Sequence, residues 1–184
     1  MPTILEKLYL PIVATQLVGM LLLDLVPLYP RFLWQDASSP LHGLLSLRAW
    51  WTATSGDPYF ASLGHEPWFQ AFLYVEAVLQ LPLTAFLVYK LASSRPTSGP
   101  TELAGLVYGC VTALSSLACC LDIWHMGPER VRADKKEGLL WGAYFPYVVI
   151  PAVMAVDMWF FRLLPRMRAA PKASKGVTGP AGFR

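Results

Sequence analysis

The chain predicts an all-α membrane protein, a bundle of four transmembrane helices with a pocket opening to the bilayer. Hydrophobic residues make up 55% of its 184 residues and charged ones only 15%, with a mean hydropathy of +0.43. Soluble domains of this size rarely reach those values. Four apolar runs come close to the ~20 residues a helix needs to cross a bilayer. Two of those runs carry an acid, Asp24 and Glu76. A charge at the bilayer centre costs roughly 2.5–3.5 kcal/mol on insertion scales, so such acids face a protein interior, a cavity or a partner. The expected organisation is one helical domain over residues 1–165 and a basic, Pro/Gly-rich disordered tail over 166–184.

The first span is expected from about Leu8 to Leu25, ended by Pro27 and Pro30, which cannot continue a helix. Lys7 precedes it as in a signal peptide, but no small-x-small cleavage pattern follows before Asp24, so an uncleaved span is expected. The amphipathic piece HGLLSLRAWWTAT reads as a short helix lying at the membrane surface, with Trp50 and Trp51 as anchors. The second span is expected from Trp68 to Leu91, kinked at Pro82. After the turn SSRPTSGPTE, the third runs from Leu103 to Ile123. The charged loop HMGPERVRADKKEG leads to the fourth, Leu139 to Leu164, which contains Pro146 and Pro151.

An even number of spans puts both termini on one side. That side holds Lys7, Lys90, Arg95 and the six basic residues from Arg162 onward; Arg31, Arg48, Arg130, Arg132, Lys135 and Lys136 lie opposite. Nine against six favours cytosolic termini. The net charge of +3 lacks the basic stripe of a nucleic-acid binder. Cys110, Cys119 and Cys120 share one apolar run, and His42, His65 and His125 fall on loops or the amphipathic piece. Neither a disulfide framework nor a metal site is expected, and no cofactor motif is present.

Each span offers one polar stripe. Gln16, Met20 and Asp24 align on the first and Glu76 with Gln80 on the second, at four-residue spacing. Thr112, Ser115, Ser116 and Cys119 give the third a mildly polar side, and Tyr144 and Tyr147 flank Pro146 on the fourth. Four inward stripes would line a cavity. Two acids at close range there are expected to share one proton, a site suited to holding an amine or to moving a proton at carbon. Other readings stand beside this one: Glu76 as a helix–helix hydrogen bond, Asp24 as a solvated interfacial acid, the tyrosines as packing. Asp122 and Asp157 read as structural, with Arg162 within reach of Asp157.

The segments MLLLDLVPLYPR, the GDP turn ending at Pro58, EPWFQAFLYVEAVLQLPL and AYFPYVVIP together resemble the EXPERA-domain membrane proteins, most closely their sigma-2 receptor branch. The resemblance covers roughly Leu8 to Leu164. It implies a four-helix bundle of the endoplasmic reticulum membrane, commonly a homodimer, whose occluded pocket binds sterols and cationic amphiphiles. By resemblance, Asp24 pairs with a ligand amine, Glu76 is its protonated neighbour, and Asp57 holds a loop over the pocket. Gln80, Ser115, Tyr144 and Tyr147 match pocket-lining positions, Ser115 standing where the family has Thr. The superfamily includes sterol isomerases, which use two acids and a histidine; Met20 occupies that histidine's position. A thioether carries no proton at neutral pH, so a non-enzymatic sterol-handling role is expected, with isomerase chemistry as the alternative. Yeast relatives linked to mitochondrial precursors suggest a third role, in quality control.

Overall fold

The computed structural model describes residues 4–93 and 96–169. Four helices are long and apolar enough to cross a membrane: α1 (Leu5–Asp24), α3 (Pro67–Leu91), α4 (Gly99–His125) and α5 (Ala133–Ala169). A short helix, α2 (Gly43–Ser55), lies between α1 and α3. The described residues contain no strand. The expected spans are all present, but α4 and α5 run further than their apolar runs. Pro100 fits the first turn of α4 because that position needs no amide donor. His125, expected in a loop, is the last residue of α4 and bonds through Nδ1 to the Leu121 carbonyl at 2.7 Å. Arg166 and Arg168 belong to α5, four residues past the expected domain boundary; the rest of the basic tail, like Arg95, lies outside the described residues.

The helices are not straight α-helices throughout. Wide turns, closed by hydrogen bonds five residues apart, occupy Met20–Asp24, Glu76–Gln80, Gly138–Tyr144 and Asp157–Leu163. Three of them end just ahead of a proline: Pro82, Pro146 and Pro165 each lie two residues beyond the turn. A proline ring clashes with the carbonyl four residues before it, here Val78, Gly142 and Phe161, and all three fall inside the widened segments. The expected kink at Pro82 is thus accommodated by widening the helix, a device that recurs at functional sites.

Two apolar cores hold the bundle. One contains Phe69, Leu73, Cys120, Ile123, Leu139 and Leu140, beside Tyr59 and Val131 from the connecting loops. The other joins Tyr9, Val13, Leu87, Leu91, Tyr108, Met154 and Met158 toward the termini. There a buried ionic network adds to it: Arg162 pairs with Glu6 and, at 3.0 Å, with Asp157. Arg166 grips Glu102 through two bonds of 3.0 and 2.7 Å. Asp157 and Arg162 are five residues apart, and the wide turn at Asp157–Leu163 suits that spacing. The sequence reading of that pair holds.

α4 packs on α5 through glycine. A Cβ at Gly109 would lie 2.5 Å from the Pro151 carbonyl oxygen and 3.0 Å from Ala155, and backbone cannot yield as a flexible side chain does. Gly109→Val is therefore expected to destabilise the protein by about 1–3 kcal/mol, the usual cost of overpacking, read as a lowered thermal midpoint in detergent. Gly138→Ala, with open space around it, should leave the midpoint nearly unchanged.

Candidate ligand-binding chamber

Between the two cores the four spans diverge around a cavity of about 500 Å³, within the range of small-molecule sites. On α3, α4 and α5 the chamber residues fall between those of the two cores: Leu73, then Glu76 and Gln80, then Leu87 on α3; Tyr108, then Ser115 and Ser116, then Ile123 on α4. Three of the wide turns open onto it and present Asp24, Glu76, Gln80 and Tyr144. Phe60, Phe69 and Phe72 supply much of its apolar wall.

Seven of the eight anticipated site residues line this one chamber: Asp24, Asp57, Glu76, Gln80, Ser115, Tyr144 and Tyr147. The eighth, Met20, does not. It is fully buried in the protein. The Met20 carbonyl accepts from the Leu25 amide, five residues on, at 3.0 Å, in the wide turn that begins at Met20. Gln16, on the same stripe, does line the chamber and accepts a hydrogen bond from the Tyr108 hydroxyl.

The three carboxyl groups differ in their partners. Asp57 is buried and accepts from the Tyr144 hydroxyl at 2.9 Å, the Tyr59 amide at 3.0 Å and the Trp51 indole at 3.3 Å. It ties the loop after α2 to α5. That loop begins at Gly56, whose φ of 76° is a left-handed helix stop. Burial pushes the Asp57 carboxyl above the usual range, while the Tyr144, Tyr59 and Trp51 donors and the Arg48 charge pull it back. Asp24 and Glu76 have no hydrogen-bond partner among the described residues, and none joins them to each other. Glu76 nevertheless feels the Asp24 charge, and Asp24 feels Asp57 and Arg48. Gln80 donates to the Thr112 hydroxyl at 2.8 Å, which fixes its amide at the chamber wall.

Two residues were misplaced by sequence reasoning. Trp51 is no surface anchor; it turns inward onto the chamber and Asp57, whereas Trp50 is exposed as expected. Arg48, counted among the cations opposite the termini on a surface helix, is only 3% exposed. Its guanidinium donates to the Leu23 carbonyl, beside Asp24, and to the Ser62 carbonyl at 3.0 Å. The signal was available: a single cation set within LLSLRAWW, in a helix whose other large residues are apolar.

Residues 44–158 match the EXPERA family, the EXPanded EBP superfamily. The chain is also 28% identical over 162 residues to Sigma intracellular receptor 2 of Xenopus tropicalis, a match that covers 84% of this chain and 86% of that protein.

A carboxyl whose value is raised on folding holds its proton more tightly in the folded state. Its contribution favours folding below the usual carboxylate pKa of about 4 and is lost as pH climbs through the raised value. Asp57→Asn should therefore gain stability relative to wild type as pH rises from about 4. Thermal midpoints of both proteins across pH will show it; a constant difference would mean that Asp57 does not titrate in this way.

Proposed function

The chain belongs to the EXPERA family, and from that premise we propose that it is a non-enzymatic receptor-type membrane protein that binds a sterol or a cationic amphiphile. The observation that carries this reading is the pair of carboxyl groups, Asp24 and Glu76, that face an apolar cavity without any donor among the described residues. A polar group in such surroundings is costly unless it finds a partner. A ligand with an apolar body and one donor at its end supplies both the filling and the partner. The relative carries the name of an intracellular receptor, which suits a binding role, and an endoplasmic reticulum membrane location and a part in sterol handling belong to the same proposal.

Cytosolic termini belong to it too, and the state of the loop-end cations supports them. Arg48 is held by backbone carbonyls, Arg130 pairs with Glu66, and Arg132 pairs with Asp134. Lys135 reaches the Ala53 carbonyl, and Lys136 those of Trp124 and Met126. These charges stitch helix ends together, which accounts for a basic loop on the side opposite the positive excess.

The two acids on one chamber also favour a second reading, a sterol isomerase. Such chemistry needs one group to protonate carbon and another to remove a neighbouring proton. Among the described residues no histidine lines the chamber, and Met20, at the position that carries it in the isomerases, is not part of the lining either. Incubation of the purified protein with a Δ8 sterol is expected to yield no Δ7 product; product formation abolished by Glu76→Gln would establish the enzyme instead.

Asp24→Asn should weaken a cationic amphiphile at least tenfold, about 1.4 kcal/mol, and a neutral sterol by less. Equilibrium binding to purified protein measures both. An unchanged amine affinity would remove Asp24 from the role.

A further inference from the structure

Asp24 and Glu76 face the cavity, Asp57 closes it, and the tyrosines and Cys119 around them are neutral at pH 7 by their ordinary pKa values. One cation accompanies these three acids, Arg48. It is not part of the chamber's lining. Its guanidinium lies 5.1 Å from the centre of the Phe60 ring and is anchored to the backbone of Leu23, and both of those residues do line the chamber. Arg48 is therefore a fixed charge just behind the wall. It is held by two carbonyls on different segments, Leu23 at the end of α1 and Ser62 in the loop. A guanidinium stays charged in such a place, and Coulomb attraction falls only slowly with distance in a poorly solvated interior.

The charge count follows. Two carboxyl groups facing one apolar cavity repel when both are charged, and the pair is counted as one negative charge. Asp57 accepts on both oxygens, Oδ1 from the Tyr59 amide and Oδ2 from Tyr144 and Trp51, the pattern of an ionised carboxylate, and so holds a second. Arg48 offsets one of the two. A single uncompensated negative charge is left for the ligand.

We infer that Arg48 sets the charge selectivity of the chamber, restricting it to ligands with one positive charge. This rests on the reading that the chamber binds cationic amphiphiles. A monoamine neutralises the site. A diamine of the same apolar body brings a second cation toward the buried guanidinium, with no free carboxylate to meet it. Without the Arg48 charge, the chamber would hold two negative charges and take the diamine readily.

The experiment compares a matched monoamine and diamine on one apolar body, by competition binding to the purified chain at pH 7. Wild type is expected to prefer the monoamine at least tenfold. Arg48→Met should erase that preference at least tenfold. Arg48→Lys should keep it even where both affinities fall, because lysine retains the charge and loses the two-carbonyl bridge. Equal wild-type affinities for the two amines would overturn the inference, and that result needs no variant to fold. Parallel losses for both amines in Arg48→Met, with the ratio unchanged, would also overturn it and leave Arg48 a structural clamp. Wild-type protein that binds neither amine would refute the cationic-amphiphile reading on which the inference rests, a result distinct from the other two.

Discussion

Within hydrocarbon no water is available to an orphaned backbone carbonyl, so every such group must be satisfied by the protein. Prolines in the spans put that constraint under pressure; Pro11 and Pro151 sit within regular helix, and at other prolines wide turns relieve it. At Pro82 and Pro146 the helix widens just upstream, where the ring would otherwise meet a carbonyl. Widening has a second effect. An extra residue in a turn rotates everything beyond it, so side chains at those turns leave the regular helix stripes. Asp24 closes one wide turn, Glu76 opens another and Tyr144 closes a third. The chamber lies where the backbone is widened, and the same distortion that accommodates proline aims the polar groups inward.

The two cores act as supports on either side of that distortion. Toward the termini, apolar packing is reinforced by Arg162 with Glu6 and Asp157, and by Arg166 with Glu102. Arg162, Glu6, Asp157 and Glu102 are largely buried, whereas Arg166 is exposed; buried ion pairs seldom add much net stability, yet breaking one leaves an uncompensated charge. They therefore favour one arrangement of α1, α4 and α5 over shifted ones. At the other end Asp57, Trp51 and Arg48 tie the loops to α1 and α5. The chamber is consequently held open between two fixed ends, and its volume does not depend on a ligand to define it.

Four spans were legible because lipid imposes a length and a composition that no other environment asks for. The acids were legible for the same reason: Asp24 and Glu76 stand out only against apolar neighbours. Met20 shares the four-residue spacing of Gln16 and Asp24 but is buried outside the chamber lining, and no sequence pattern announces the i→i+5 turn it opens. The helix ends were read short, since residues such as Asp134 and Lys136 extend α5 beyond the hydrocarbon, where hydropathy carries no signal. Arg48 and Trp51 were misplaced by treating the segment between α1 and α3 as surface. Their inward course depends on where the loop folds back, which is a tertiary fact. The ionic network around Arg162 was partly visible as a pair along one helix, but its reach to Glu6 was not.

The contrast between Asp57 and Asp24 shows how one residue type can serve two ends. Asp57 is saturated: hydroxyl, amide and indole all donate to it. Hydrogen bonds to an ionised group are the strong ones, so Asp57 is committed to holding the loop and has little to offer a ligand. Asp24 and Glu76 receive no donor from the described residues. In an apolar cavity that deficit raises the free energy of the empty state, and a ligand that supplies the missing donor recovers it on binding. The same argument explains why Arg48 stands behind the wall and not within it. A guanidinium in direct contact would satisfy Asp24 and leave the chamber with nothing to gain from a cation, whereas a guanidinium spent on two carbonyls shapes the field and keeps the acid available.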